Sequence, residues 1–159
     1  MMRRATPIFA AIVTLAITTS AQAHVTVTPG EGVAGARQVY VVRMPNEKQV
    51  DTVRLDLRVP GGLRVTSVRQ QPGWRMTLER SPSGSIVAIH WAGTLGPDQY
   101  AEFALQARNP EQSGEMRWAA SQSYAGGLVM DWTGERGSKT PAPVTTVVPA
   151  AAMPEHAGH

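Results

Sequence analysis

Ala21-Gln22-Ala23-His24 sets a small-residue Ala-x-Ala step directly before a histidine. Signal peptidases cut after such a step. Cleavage after Ala23 would make His24 the first residue of the mature chain, with a free α-amine beside an imidazole. Those two nitrogens close a six-membered chelate, through Nδ1, around one metal ion. Their ordinary pKa values, about 7.7–8.0 for the amine and about 6.5 for the ring, leave both accessible as neutral donors near neutral pH. An amine and an imidazole completed by oxygen ligands in tetragonal geometry suit Cu(II), which tops the divalent affinity series. While residues 1–23 remain attached, the His24 nitrogen is an amide and no such ligand.

The other residues able to do chemistry are few. The chain has no cysteine, so thiolate metal sites and Cys-x-x-Cys redox chemistry are absent. Met44, Met76, Met116 and Met130 are spread singly, the ordinary gap-filling use of methionine, and no Met-x-Met cluster offers a Cu(I) site. Cu(II) is therefore the expected state. His90 alternates with Ala88 rather than with Ile89 and Trp91, which reads as a surface or interface histidine on a strand rather than a ligand. Met153, His156 and His159 lie in a small, polar tail and read as chance donors on a flexible segment. There is no Gly-x-Ser-x-Gly, no His-Glu-x-x-His and no phosphate-cradling glycine loop. No catalytic residue is assigned, and an enzyme is not expected.

The elements that must hold His24 read as strands. Met1-Met2-Arg3-Arg4, the apolar stretch Ile8–Ile17 and Thr18–Ala23 form the three parts of a signal peptide over residues 1–23. This implies secretion across the inner membrane to the periplasm. Beyond it, Val53–Val59 alternates apolar and charged residues without a miss, and Trp74–Glu79 does the same. Further strands are expected at 24–28, 37–43, 63–70, 85–92, 100–108, 115–124, 127–133 and 143–148. Pro-Gly, Pro-Asn and Gly-Gly breakers separate them. Tyr124-Ala125-Gly126-Gly127-Leu128 reads as a tight hairpin. No stretch shows a helical period, so the chain is expected to form a single all-β domain over 24–148, an antiparallel β-sandwich with immunoglobulin- or cupredoxin-like layers. Residues 149–159 are expected to form a flexible tail. Without Arg3 and Arg4, thirteen basic side chains face twelve acidic ones. No basic cluster invites nucleic acid, and no second long apolar segment predicts stable membrane insertion after the signal is removed.

His24-Val25-Thr26-Val27-Thr28-Pro29, Val42–Glu47, Pro72-Gly73-Trp74, Trp91-Ala92-Gly93, Gly96-Pro97, Glu102-Phe103, Gln122-Ser123-Tyr124, Asp131–Gly134 and Pro141–Val144 occur in this order. Together, across about 24–147, they resemble the YcnI-like family of secreted copper-binding domains (DUF1775). The resemblance implies a β-sandwich that binds one Cu(II) in a mono-histidine brace, in which the N-terminal histidine chelates through amine and imidazole and a glutamate and a tryptophan complete the site. Carried onto this chain, the metal residues are His24, Glu102 and Trp132. Some relatives carry a C-terminal membrane helix; here the short Met153/His156/His159 tail is read in its place. On the residues alone, Glu102 is a solvated strand carboxylate and Trp132 a core aromatic.

These observations lead to a periplasmic Cu(II)-binding protein acting as chaperone or buffer, with copper ion as ligand and other periplasmic copper-handling proteins as partners. A metal-free interaction or adhesion sandwich is the alternative. A copper monooxygenase would need a second histidine in the site, and within the domain only His90 is available.

Overall fold

The structure, a computed structural model, describes residues 24–151. The expected signal peptide and the Met153/His156/His159 tail lie outside the described residues. The chain forms twelve strands: β1 (Thr26–Thr28), β2 (Glu31–Val33), β3 (Arg37–Pro45), β4 (Thr52–Arg58), β5 (Arg64–Val68), β6 (Arg75–Arg80), β7 (Ile86–Leu95), β8 (Tyr100–Arg108), β9 (Gly114–Arg117), β10 (Ala119–Tyr124), β11 (Val129–Trp132) and β12 (Val144–Val148). They make a four-stranded sheet in the order β1-β3-β8-β5, a five-stranded sheet in the order β11-β10-β4-β7-β6, and a three-stranded ribbon, β2-β12-β9. Pairing is antiparallel except between β2 and β12. The all-β antiparallel sandwich expected from the alternation is the fold observed.

Alternation explains how the sheets meet. Along β8, Ala101, Phe103, Leu105 and Ala107 are buried, while Tyr100, Glu102 and Gln106 are exposed. Along β4, Leu55 and Leu57 are buried, while Arg54 and Arg58 are exposed. The buried faces share one core, in which the ring of Trp91 from the five-stranded sheet lies 4.7 Å from that of Phe103 in the four-stranded sheet. Trp74, in the turn before β6, meets Phe103 edge-on at 5.1 Å. Burying such rings supplies much of what holds two layers without disulfides.

Two expectations are refined. The run 115–124 reads as one strand, but the chain changes partners at Trp118. β9 pairs with β12, while β10 pairs with β4. The Trp118 main-chain N–H donates to Pro143 and its indole Nε1 to Thr145 Oγ1, at 2.9 and 3.1 Å. The short strand β2 follows Pro29-Gly30 too closely to show a period. It passes against Gln38, Tyr40 and Asn109, and a side chain at Gly32 would lie 2.5 Å from Gln38 Oε1. Tyr40 donates its hydroxyl to Asn109 Oδ1 at 2.6 Å.

Candidate metal centre

His24 stands two residues ahead of β1, the edge strand of the four-stranded sheet, and Trp132 closes β11, the edge strand of the five-stranded sheet. The two edges meet at one end of the sandwich. The His24 and Trp132 rings lie 5.5 Å apart, centroid to centroid, inclined at 58°. His24 Nε2 and Trp132 Nε1 are buried, and neither has a hydrogen-bond partner. An unpartnered buried donor or acceptor costs about 1–3 kcal/mol, so this end of the fold maintains an arrangement that local hydrogen bonding does not reward.

On its other side His24 opens onto a cleft of about 680 Å³, bordered also by Arg43, Glu47, Asp98 and Tyr100. The Arg43 guanidinium sits over the Tyr100 ring, 3.8 Å from its centroid. Asp98 takes a left-handed backbone, φ 59°, a conformation that aspartate tolerates better than most residues. A second hollow of about 270 Å³ adjoins, bordered by Glu47, Tyr124, Met130 and Trp132. Burial raises the Tyr124 phenol above its ordinary value; a hydrogen bond with Thr52 opposes this, and the Glu47 charge adds to it. Glu47 therefore borders both the space beside His24 and the space beside Trp132.

Of the three residues carried over from the resemblance, two meet and the third stands apart. Glu102 is exposed on the outer face of β8. It is paired with Arg43, which is paired in turn with Thr26. Neighbouring strands are about 4.7–4.9 Å apart, so Glu102 lies about 9–10 Å across the sheet from Thr26, with His24 about 7 Å farther along. The alternation that buries Phe103 and Leu105 puts Glu102 on the outer face with Thr26, Arg43 and Tyr100, which border the cleft, but Glu102 is not among the bordering residues. The carboxylates at the cleft are Glu47 and Asp98. Glu47 was missed because it belongs to a turn rather than to a strand. Its signal is a carboxylate directly after Pro45-Asn46, where the chain leaves β3 at the end of the sheet.

His90 belongs to a different surface. Its Nδ1 lies 2.5 Å from Asp56 Oδ1 and its Nε2 3.6 Å from Glu79. Among the described residues, no group of three or more His, Asp or Glu side chains is placed to hold a metal ion.

The geometry defines an immunoglobulin-like sandwich with a histidine-headed cleft at one end. The chain belongs to the DUF1775 family, described as a domain of unknown function, whose model matches residues 24–150. It is 31% identical over 147 residues to the copper-binding protein CutI of Bacillus subtilis (strain 168), covering 91% of this chain and 72% of that one. An uncharacterized protein from Nocardia farcinica with an immunoglobulin-like fold superposes with a TM-score of 0.67 at 25% identity, covering 78% of this chain and 97% of that one. A cohesin from Archaeoglobus fulgidus, at 16% identity and a TM-score of 0.50, shares the fold over 79% of this chain and 90% of its own.

Proposed function

We propose that the protein binds one Cu(II) ion in the periplasm as a chaperone or buffer, through a brace that secretion creates at His24. The observation that carries this reading is the His24 ring packed on Trp132 at 5.5 Å, at the head of a cleft that Glu47 borders. A relative 31% identical is a copper-binding protein, which supports the choice of metal.

The donor set fits copper. With Nε2 buried against protein, the ring nitrogen left to act with the main chain is Nδ1, which lies nearer the backbone and is the one that closes a six-membered chelate. Cleavage after Ala23 supplies the amine. Glu47 borders the cleft and supplies a carboxylate oxygen in preference to Glu102, which does not border it. Trp132 walls off one side of the site. When bound there, Cu(II) offers a cation that can be held and passed on. The chain's own residues bind it and shield it, and the copper-binding relative supports a binding protein rather than an enzyme. Partners are other copper-handling proteins of the same compartment.

The test is calorimetric titration of Cu(II) into four proteins: the mature chain beginning at His24, the same chain retaining Ala23, E47Q and E102Q. The mature chain and E102Q should bind one equivalent tightly. Retaining Ala23 should weaken binding by two orders of magnitude or more, and E47Q by about one. Unchanged affinity with Ala23 in place would sink the brace. A loss at E102Q but not at E47Q would return the carboxylate role to Glu102.

A further inference from the structure

Asn46 is 1% exposed although it lies in the turn after β3, and amides in turns are seldom so buried. Its polar groups are used on all sides. Nδ2 donates to the main-chain carbonyls of Val50 and Leu95, at 2.9 and 3.0 Å. Oδ1 accepts the Lys48 N–H at 3.0 Å. The Asn46 main-chain N–H donates to the Gln99 carbonyl at 2.8 Å, and its carbonyl accepts the Asp98 N–H at 3.0 Å.

These five bonds reach two loops. One, at 46–50, carries Glu47, which is bracketed between the buried Asn46 and the tethered Lys48 N–H. The other, at 95–99, carries the left-handed Asp98 and leads into Tyr100. Both loops border the cleft that His24 heads. Two main-chain bonds join the loops at Gln99 and Asp98; the side chain, with two donors and one acceptor in a fixed plane, adds the ties to Leu95, Val50 and Lys48. Serine can accept the Lys48 N–H but cannot reach both carbonyls; alanine keeps the two main-chain bonds to Gln99 and Asp98 and loses the three side-chain bonds to Val50, Leu95 and Lys48.

We propose that Asn46 is the positioning residue of the metal site: it fixes Glu47 and the Asp98–Tyr100 wall at the His24 cleft before a metal arrives. The inference rests on the reading of His24 and Glu47 as copper ligands. Asn46 itself does not touch the metal and acts through Glu47. Preorganisation of this kind raises affinity because less freedom is lost on binding.

The experiment is a double-mutant cycle on the mature chain. Cu(II) affinity and the Cu(II) electron paramagnetic resonance spectrum at saturation are measured for wild type, N46A, E47Q and N46A/E47Q. N46A should weaken binding about tenfold and change the parallel hyperfine splitting, which a loss of overall stability alone does not move. The double variant should bind no more weakly than E47Q. Circular dichroism reports folding, and N46S carries the same comparison if N46A does not fold. Wild-type affinity and spectrum in N46A, or losses that add in the double variant, overturn the positioning role while the copper reading stands. A wild type that takes up no copper, or an E47Q protein that binds like wild type, overturns the ligand reading and the positioning role with it.

Discussion

Asp56 is held from two sides. Arg54 Nε reaches it at 2.8 Å and His90 Nδ1 at 2.5 Å. Burial pushes the carboxyl up, but the hydrogen bonds and charges of Arg54 and His90 outweigh burial and hold its pKa below the ordinary value. A carboxyl depressed in the folded state adds stability that is complete above its unfolded pKa, about 3.9, and is lost as pH falls through the folded value. D56N should therefore lower unfolding free energy by about 1 kcal/mol at neutral pH, the low end for charged hydrogen bonds because the group is partly exposed. The deficit should be smaller in acid, below the unfolded pKa of about 3.9, than at neutral pH. Urea unfolding at both pH values checks this, and an equal deficit at the two would mean that the ion pair is not its source. His90 was legible as a surface residue from its place between Ile89 and Trp91. Its partners were not, because Asp56 and Glu79 arrive from other strands and no local spacing brings them together. The same limit applies at the cleft. Glu102 could be read as outward-facing from the alternation alone, whereas Glu47 becomes visible only when a turn is placed beside His24.

Strands were legible wherever one face is buried, because a period of two survives in the sequence. They were least legible where the chain changes partners. At Trp118 an unbroken run passes from the ribbon to the five-stranded sheet, and nothing in its composition marks the transfer. The elements also carry a packing constraint that can be tested. Gly93 on β7 lies beneath Trp74, and a Cβ there would come within 2.5 Å of the indole. G93A should force the Trp74 ring off Phe103 and cost about 1–3 kcal/mol, as overpacking of a filled core does. In a W74A background the added cost of G93A should largely disappear, since the clashing atoms are gone. Chemical denaturation of the four proteins gives the comparison, and equal costs in both backgrounds would place the strain elsewhere. Gln122 makes a second such link. It is fully buried on β10, and its Nε2 donates to the Pro45 carbonyl and to Thr52 Oγ1, at 2.9 and 2.8 Å. It thereby ties the five-stranded sheet to the residue just before Asn46. Q122A should cost about 2 kcal/mol, because it removes these bonds and leaves the buried partners unmet, and thermal melting reads the loss.

At the scale of the whole molecule, the candidate site joins the two layers. His24 comes from the edge of one sheet and Trp132 from the edge of the other, so an ion held between them binds the assembled sandwich more tightly than the unfolded chain, which keeps only the His24 amine and ring. Ligand linkage then gives the size of the effect. At free copper a hundred times the dissociation constant, the folded state gains at most about 2.7 kcal/mol, less whatever the unfolded chain's own His24 chelate recovers. In a domain of this length each kcal/mol raises the melting temperature by about 3–5 °C, so the mature protein should melt higher with copper, by at most about 10 °C, and a chelator should reverse the gain. A chain that retains Ala23 keeps every strand pairing of β1 and should melt with the mature chain when copper is absent. On the proposed reading it lacks only the amine, so at the same copper concentration most of the shift should vanish. This separates the fold, which strand alternation and the shared core specify without the metal, from the proposed site, which a single cleavage would complete. Equal copper-induced shifts in the two chains would show that the amine contributes nothing and that the ion binds elsewhere on the sandwich.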